Sequence, residues 1–294
     1  MSQPQFPEFR AIDLEDRAVV ETFISRYPSK ACEVNFGNIF LWRDFERPKF
    51  TFVHGNLCIL CAPPSEPAYF LQPIGENRIE ETIETCLSFA PRISRVPEEQ
   101  ALKFGRGFRC EPDRDNFDYV YRAEDLIYLR GKKYDGKRNR IRKFEKTHSF
   151  RYLKLTSEHI EGCRRLLDEW IRVKAASDGF ITGIWKQVIE EGFRHFAPLG
   201  LVGGAIEVEG DIAAFSIGAE FSPDTALIHI EIARPAYDGL SQLMNREFCR
   251  NSWSGFQFIN REQDNGNPGL RRAKTSYYPH HMVKKYNIWG ESAC

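Results

Sequence analysis

The spacing of apolar and polar residues changes period several times along the chain, and each change marks an element. FRAID (residues 9–13) reads as a short strand, LEDRAVVETFISRYP as a helix, and EVNFGNIFLWRDF (33–45) as an aromatic segment. KFTFVHG and NLCILCA are two strands joined at His54-Gly55-Asn56, a good hairpin turn. ENRIEETIETCLSFA sets Ile79, Ile83, Cys86 and Leu87 at helical spacing. Residues 90–125 alternate short strand and helix signals and end at DYVYRAEDLIYL.

The second half mixes the same signals. FRYLKLT is a strand, and Ser157 stands ready to cap the following helix, with Glu158 and Glu161 in its first turn. That helix has a core stripe of Ile160, Cys163, Leu167, Trp170, Ile171 and the stem of Lys174. GIWKQVIEEGFRHFA is a second helix, and LVGGAIEVEGDIAAFSIGAEF a hairpin turning at Glu209-Gly210-Asp211. TALIHIEIARP, LSQLMNREFCRNSW, FQFIN, NPGLRRAKTSYY and MVKKYNIW then read as strand, helix, strand, short helix and last strand. This order resembles that of the acyl-CoA N-acyltransferase (GNAT) fold. The expectation is an α+β protein of two tandem GNAT-like domains, 1–130 and 149–294, joined by a basic helix over 131–148. Each domain would hold a mixed, largely antiparallel sheet flanked by helices.

Composition narrows the function classes. The chain has 294 residues, 42% hydrophobic and 28% charged, with 41 basic and 41 acidic residues. A neutral total argues against a general nucleic-acid or membrane coat. The opening MSQPQFPEFR lacks the charged and apolar regions of a signal peptide, and no apolar run spans a bilayer, so a cytoplasmic location is expected. Cysteines stand at 32, 58, 61, 86, 110, 163, 249 and 294. Cys58 and Cys61 have CxxC spacing but point to opposite faces of a strand, so buried free thiols are expected and no metal. No Ser-His-Asp or Cys-His arrangement, phosphate loop or G-x-G-x-x-G stands out.

Against this neutral background, GKKYDGKRNRIRKFEK (131–146) holds eight Lys or Arg and only two acids. As a helix it shows a narrow apolar stripe, Tyr134, Ile141, Phe144 and His148, to dock it on the body. Arg138, Arg142 and Lys146 lie on one flank, and Lys133, Lys137, Arg140 and Lys143 on the other. Like charges four apart cost a helix a few tenths of a kcal/mol per pair. A structural helix would alternate signs, so the flanks read as an anion site for tRNA, CoA or another phosphate. In LIHIEIARP, alternation puts His229 and Glu231 on one face and three isoleucines on the other. A carboxylate there can take a proton from an attacking amine, and burial beside a neutral His229 would suit it as a base. Asn245 is a poor helix former inside an amphipathic helix, which points to a hydrogen-bonding duty.

Three stretches carry a closer resemblance: KKYDGKRNRIRKFEK, HIEIARPAYDGLSQLMNREF and INREQDNGNPGLRRAKTSYYP. In the third, Asn260, Asp264, Gly266, Gly269-Leu270 and the run from Lys274 to Pro279 fall in order. Together they resemble the family of bacterial proteins similar to the C-terminal catalytic domain of phosphatidylglycerol lysyltransferase, related to the Fem-type aminoacyltransferases. The resemblance implies two tandem GNAT-like domains and transfer of an acyl or aminoacyl group to an amine or hydroxyl. The donor would be aminoacyl-tRNA or acyl-CoA, with no tightly bound cofactor. It assigns Lys274 to the oxyanion that develops on the carbonyl. The substrate-binding set would be Lys137, Arg138, Arg142, Asn245, Asn260, Asp264 and Tyr277, with Glu231 as base. The chain departs from the lysyltransferase in lacking its long membrane portion. It departs from ordinary GNAT enzymes in reading RPAYDGLSQ where they carry a glycine-rich pyrophosphate loop. A non-catalytic RNA- or phosphate-binding protein using 131–146 is the alternative.

Overall fold

The computed structural model describes residues 3–104, 107–174 and 179–290. Fourteen strands run in chain order through these residues. They are β1 (Arg10–Ala11), β2 (Lys49–Val53), β3 (Asn56–Cys61), β4 (Tyr69–Leu71), β5 (Arg92–Pro97), β6 (Arg109–Pro112), β7 (Asp118–Arg122) and β8 (Phe150–Lys154), then β9 (Val202–Val208), β10 (Asp211–Ser222), β11 (Thr225–Ala233), β12 (Phe258–Asn260), β13 (His281–Val283) and β14 (Lys285–Trp289). The helices are α1 (Arg17–Arg26), α2 (Phe36–Leu41), α3 (Arg43–Glu46), α4 (Ile79–Phe89), α5 (Glu98–Phe104) and α6 (Ala123–Tyr128), then α7 (Asp135–Thr147), α8 (Ile160–Lys174), α9 (Gly179–Arg194), α10 (Leu240–Ser252) and α11 (Pro268–Thr275).

The strands form two mixed sheets of seven. The first has the order β1-β2-β3-β4-β5-β14-β6, and the second, read from its far edge, β8-β9-β10-β11-β12-β7-β13. The two orders match position for position. Five strands follow in sequence, the fourth and fifth run parallel (β4 with β5, β11 with β12), and a sixth is inserted before the last. In each sheet the inserted strand comes from the other half of the chain: β14 in the first, β7 in the second. The compact units are therefore discontinuous in sequence. The first comprises residues 1–118, 263–271 and 282–294, and the second 119–262 and 272–281.

Local chemistry accounts for most elements. β3, NLCILC, is buried along its whole length, as expected of a strand covered on both faces, so Cys58 and Cys61 are both interior although they point apart. The seven described cysteines are free thiols, and Cys294 lies outside the described residues. The β2–β3 hairpin turns at His54 (φ 51°) and Gly55 (φ 81°), and β9–β10 at Glu209 (φ 53°) and Gly210 (φ 88°). Paired left-handed residues of this kind match the twist of the flanking strands. Helix α7 buries Ile141 and Phe144 below its charged flanks, with Tyr134 buried just ahead of it.

Three details correct the sequence reading. Thr156, not Ser157, opens the turn before α8, in a reciprocal capping box with His159. The buried stripe of α8 is Gly162, Cys163, Leu166 and Leu167, and Lys174 is exposed, because the helix rolls its small residue Gly162 against Ile212. MVKKYNIW is not one strand: it breaks at Lys284, β13 joining the second sheet and β14 the first.

One glycine positions α7. Gly239, at φ 95°, starts α10, and a side-chain carbon there would lie 2.3 Å from the carbonyl oxygen of Arg140. Gly239→Ala meets both left-handed strain and a backbone clash, each of which costs about 1–2 kcal/mol or more. The expected result is a melting temperature lower by several degrees, read by calorimetry; an unchanged midpoint would mean that α7 does not pack on this turn.

Candidate functional site

The second unit gathers most of the candidate side chains around one arginine. Glu231 lies on β11, beside β12 in the sheet, and its carboxylate faces α10 and the residue that follows β12. Oε1 is 3.1 Å from Nη2 of Arg261, and Oε2 accepts a hydrogen bond of 2.9 Å from Nδ2 of Asn245. This is the duty of Asn245 in mid-helix, where it is wholly buried. Two polar atoms of the assembly are buried with no hydrogen-bond partner: Oδ1 of Asn245 and Nη1 of Arg261. A donor and an acceptor each left open in an interior are costly, about 1–3 kcal/mol each, and call for an occupant.

Aromatic rings hold Arg261 in place. Its guanidinium carbon lies 4.9 Å from the ring centre of Tyr277 and 5.7 Å from that of Tyr121. Burial works against its charge, but Glu231 and the neighbouring phenols and thiol outweigh it and raise its pKa above the usual arginine range. Lys137, from α7, sets its ammonium 3.6 Å from the centre of the same Tyr277 ring and donates to Oγ of Ser276 at 2.7 Å. Burial, with Arg261 and Arg140 adding to it, pushes Lys137 down to about 8. Tyr277 itself is pushed up by burial. Lys274, buried near the end of α11, donates to the backbone carbonyl of Arg261 at 2.5 Å, and its own carbonyl accepts from the Tyr121 hydroxyl at 2.8 Å.

The other predicted residues lie elsewhere. His229 is buried, and its ring is engaged with Glu262 rather than with Glu231. Its Nδ1 is 2.7 Å from Oε1 of Glu262, and both faces of β11 are covered. Asn260 is buried and accepts the Glu262 N–H at 2.8 Å. Asp264 belongs to the first unit, where Arg271 clamps it at 2.8 and 2.7 Å and Arg114 adds a contact at 3.3 Å. Arg138 turns back onto the carbonyls of Leu129 and Gly131 and onto Asp135. With the exposed Arg142 it lines a cavity of about 220 Å³ that also takes in Glu145, Arg246 and Arg250. The flanks of α7 thus part: Lys137 joins the Glu231–Arg261 assembly, while Arg138 and Arg142 edge a surface rich in arginine. Arg261 escaped the sequence reading. Its only signal is a charge directly after the strand FQFIN.

The first unit has a buried charge network of its own. Cys32, Glu33 and Asp118 present the one group with metal-ligand spacing among the described residues. Its centre is taken by the ammonium of Lys285, 2.5 Å from Glu33 Oε2, 2.5 Å from Asp118 Oδ1 and 3.6 Å from Cys32 Sγ. The protein supplies its own cation at that point.

Two mixed sheets of matching order, each flanked by helices, define a tandem GNAT-like protein. The chain belongs to the family described as phosphatidylglycerol lysyltransferase, C-terminal, which it matches over residues 24–289, and so to a family named for aminoacyl transfer. A conserved protein of unknown function from Bacteroides thetaiotaomicron is similar in structure (TM-score 0.87) at 28% identity, over 96% of this chain and 99% of that one. L-PGS from Bacillus licheniformis is similar at 17% identity (TM-score 0.64), over 100% of this chain and 95% of that one. FemX shares the fold at 9% identity (TM-score 0.56), over 95% of this chain and 96% of that one. A search of curated protein sequences finds no match. No described helix is long and apolar enough to cross a membrane.

Proposed function

We propose that this protein moves an aminoacyl group from aminoacyl-tRNA to an amine or hydroxyl, with the chemistry in its second unit. The observation that carries the reading is the Glu231–Arg261–Asn245 assembly with its two unmade hydrogen bonds. Arg261 Nη1 is a donor for an ester carbonyl, and Asn245 Oδ1 an acceptor for an attacking amine or hydroxyl. Glu231 releases one oxygen from its partners to take the nucleophile's proton. Lys274 stabilises the negative charge on the carbonyl oxygen as the tetrahedral intermediate forms. The intermediate collapses by breaking the ester C–O bond, and the tRNA ribose oxygen leaves with the proton that Glu231 took from the nucleophile.

Acyl-CoA is the less favoured donor. GNAT enzymes hold its pyrophosphate on open N–H groups at a helix N-terminus. At the start of α10 this chain packs the backbone of α7 against Gly239 instead, and Asp238 adds a negative charge 3.9 Å from Arg140 and 3.7 Å from Lys143. The arginine-rich flank of α7 supports a polyanion such as tRNA.

The test supplies aminoacyl-tRNAs or acetyl-CoA with a panel of amine and hydroxyl acceptors and follows label transfer. Transfer from aminoacyl-tRNA and none from acetyl-CoA is expected, and the reverse would overturn the donor assignment. Binding of tRNA without transfer to any acceptor, with affinity falling at about −0.7 per phosphate contact in a log–log salt plot, would favour the RNA-binding reading. The charged form of Lys137 is the one that meets phosphate, so donor affinity is expected to fall as pH rises through about 8. Lys137→Arg should hold that affinity to higher pH.

A further inference from the structure

Two cations of the second unit, Arg261 and Lys274, are largely withdrawn from water, and one strand, β7, reaches both. Alternate residues of a strand share a face, so Tyr119 and Tyr121 lie on the same side of β7. Both are fully buried. The centre of the Tyr119 ring is 5.8 Å from Nζ of Lys274, and that of the Tyr121 ring is 5.7 Å from the guanidinium carbon of Arg261. A ring face within about 6 Å attracts a cation, and more strongly where water is excluded.

The same strand fixes the chain that carries the cations. The Arg261 N–H donates to the Tyr119 carbonyl at 2.9 Å, and the Tyr119 N–H donates to the Glu262 carbonyl at 3.1 Å. The Tyr121 hydroxyl donates to the Lys274 carbonyl at 2.8 Å. Burial pushes the Tyr121 phenol up, although Arg261 pulls the other way, so the hydroxyl keeps its proton and donates at neutral pH. Each cation thus has a ring of β7 beside it, and each residue bearing a cation has a backbone hydrogen bond to β7. Lys274 sits on the carbonyl of Arg261 itself, so two like charges share one site. Their repulsion grows as water is excluded, and the negative faces of the rings offset it.

We propose that Tyr119 and Tyr121 are positioning residues for the transfer reaction. Tyr119 holds the Lys274 ammonium. Tyr121 holds the Arg261 guanidinium and the backbone of Lys274. Both cations are then aimed before an ester arrives, and the tyrosines act through them rather than on the substrate. The catalytic role rests on the transfer reading, whereas the hold of the rings on the cations does not.

The experiment places phenylalanines of increasing ring fluorination at position 119 of the full chain. Fluorine drains the negative face of the ring with little change of shape. The melting temperature is expected to fall stepwise with fluorination when Lys274 is present and to stay level in Lys274→Met. Lys274→Gln is the second background if Lys274→Met does not fold. Equal steps with and without the lysine would mean that the ring only fills space, and would overturn the role of Tyr119. With aminoacyl-tRNA as donor, kcat should fall in the same steps while KM holds. A stepwise melting series in a protein whose parent transfers nothing would overturn the catalytic role together with the transfer reading, and leave the hold on Lys274 standing. Tyr121→Phe keeps the ring and loses the hydroxyl. It should lower kcat about tenfold, the equivalent of one hydrogen bond, and its crystal structure should show the Lys274 ammonium shifted from the Arg261 carbonyl. An unmoved ammonium with unchanged kcat would overturn the role of Tyr121.

Discussion

Lys285→Met is expected to destabilise the protein by about 3–5 kcal/mol, the usual cost of removing one partner from a buried ionic network. Methionine keeps the unbranched stem but leaves Glu33 and Asp118, both buried, without the cation that lies 2.5 Å from each. The pH dependence separates this from lost packing. Burial opposes the charge on Lys285, but Asp118, Cys32 and Glu33 raise its pKa above the usual lysine range. Its contribution is therefore complete below about pH 10.4, the unfolded value, and is lost only as pH rises through the higher folded value. Glu33 is shifted the other way, so its contribution is complete above about pH 4.3 and is lost only as pH falls through its lower folded value. In the variant Glu33 loses the larger of its two cationic partners and keeps Arg95, so it takes up a proton at higher pH than in the parent. The stability difference between parent and variant should thus narrow as pH falls from 7 towards 5, measured by denaturant unfolding. Asp118→Asn added to Lys285→Met should recover part of the loss, since it removes one of the stranded charges. A pH-independent difference, or a loss below 1 kcal/mol, would show that the ammonium does not serve these carboxylates.

The same lysine shows where the sequence stops speaking. In MVKKYNIW, Lys285 reads as an ordinary polar position of an alternating strand, yet it is fully buried, because β14 is inserted between β5 and β6. Its partners at 32, 33 and 118 are far away in sequence, and no local period carries that information. The exchange of β7 and β14 is hidden for the same reason. Alternation says that DYVYR and KYNIW are strands, not which sheet takes them. What depends on neighbours a few residues apart was legible: the His54-Gly55 turn, the docking stripe of α7 and the hydrogen-bonding duty of Asn245. At the candidate site the sequence pointed to the stretch 259–279 and to Glu231, which the structure sets 3.1 Å from Arg261. It could not tell that Asp264 would clamp Arg271 and Arg114 while Arg261, three residues earlier, would face Glu231. That choice depends on how the chain turns after β12, where Glu262 and Asn265 adopt left-handed backbone angles (φ 57° and 51°) that residues other than glycine seldom take.

Lys274→Met is expected to lower the rate of the proposed aminoacyl transfer by about 10²–10³-fold, the effect of removing one stabiliser of a developing oxyanion. The residue is 8% exposed and its ammonium is tied to the Arg261 carbonyl, so its charge is held in place before any substrate arrives. A fixed cation needs no rearrangement as the carbonyl oxygen gains charge, and in a site shielded from water it acts at low dielectric. Methionine preserves the stem and loses the charge and the hydrogen bond to the Arg261 carbonyl, a stability cost of about 1–3 kcal/mol. The kinetic split carries the discrimination. An oxyanion role lowers kcat and leaves KM for aminoacyl-tRNA nearly unchanged, because the ester carries little charge on its oxygen before attack. A phosphate-binding role raises KM and spares kcat. A purely structural role lowers both together with the melting temperature, and Glu231→Gln is the comparison. If both residues act on the same intermediate, the double variant should lose less rate than the product of the two single losses, because each removes part of one assembly around Arg261. Fully multiplicative losses would place Lys274 and Glu231 on separate steps and move the oxyanion role to the open Nη1 of Arg261.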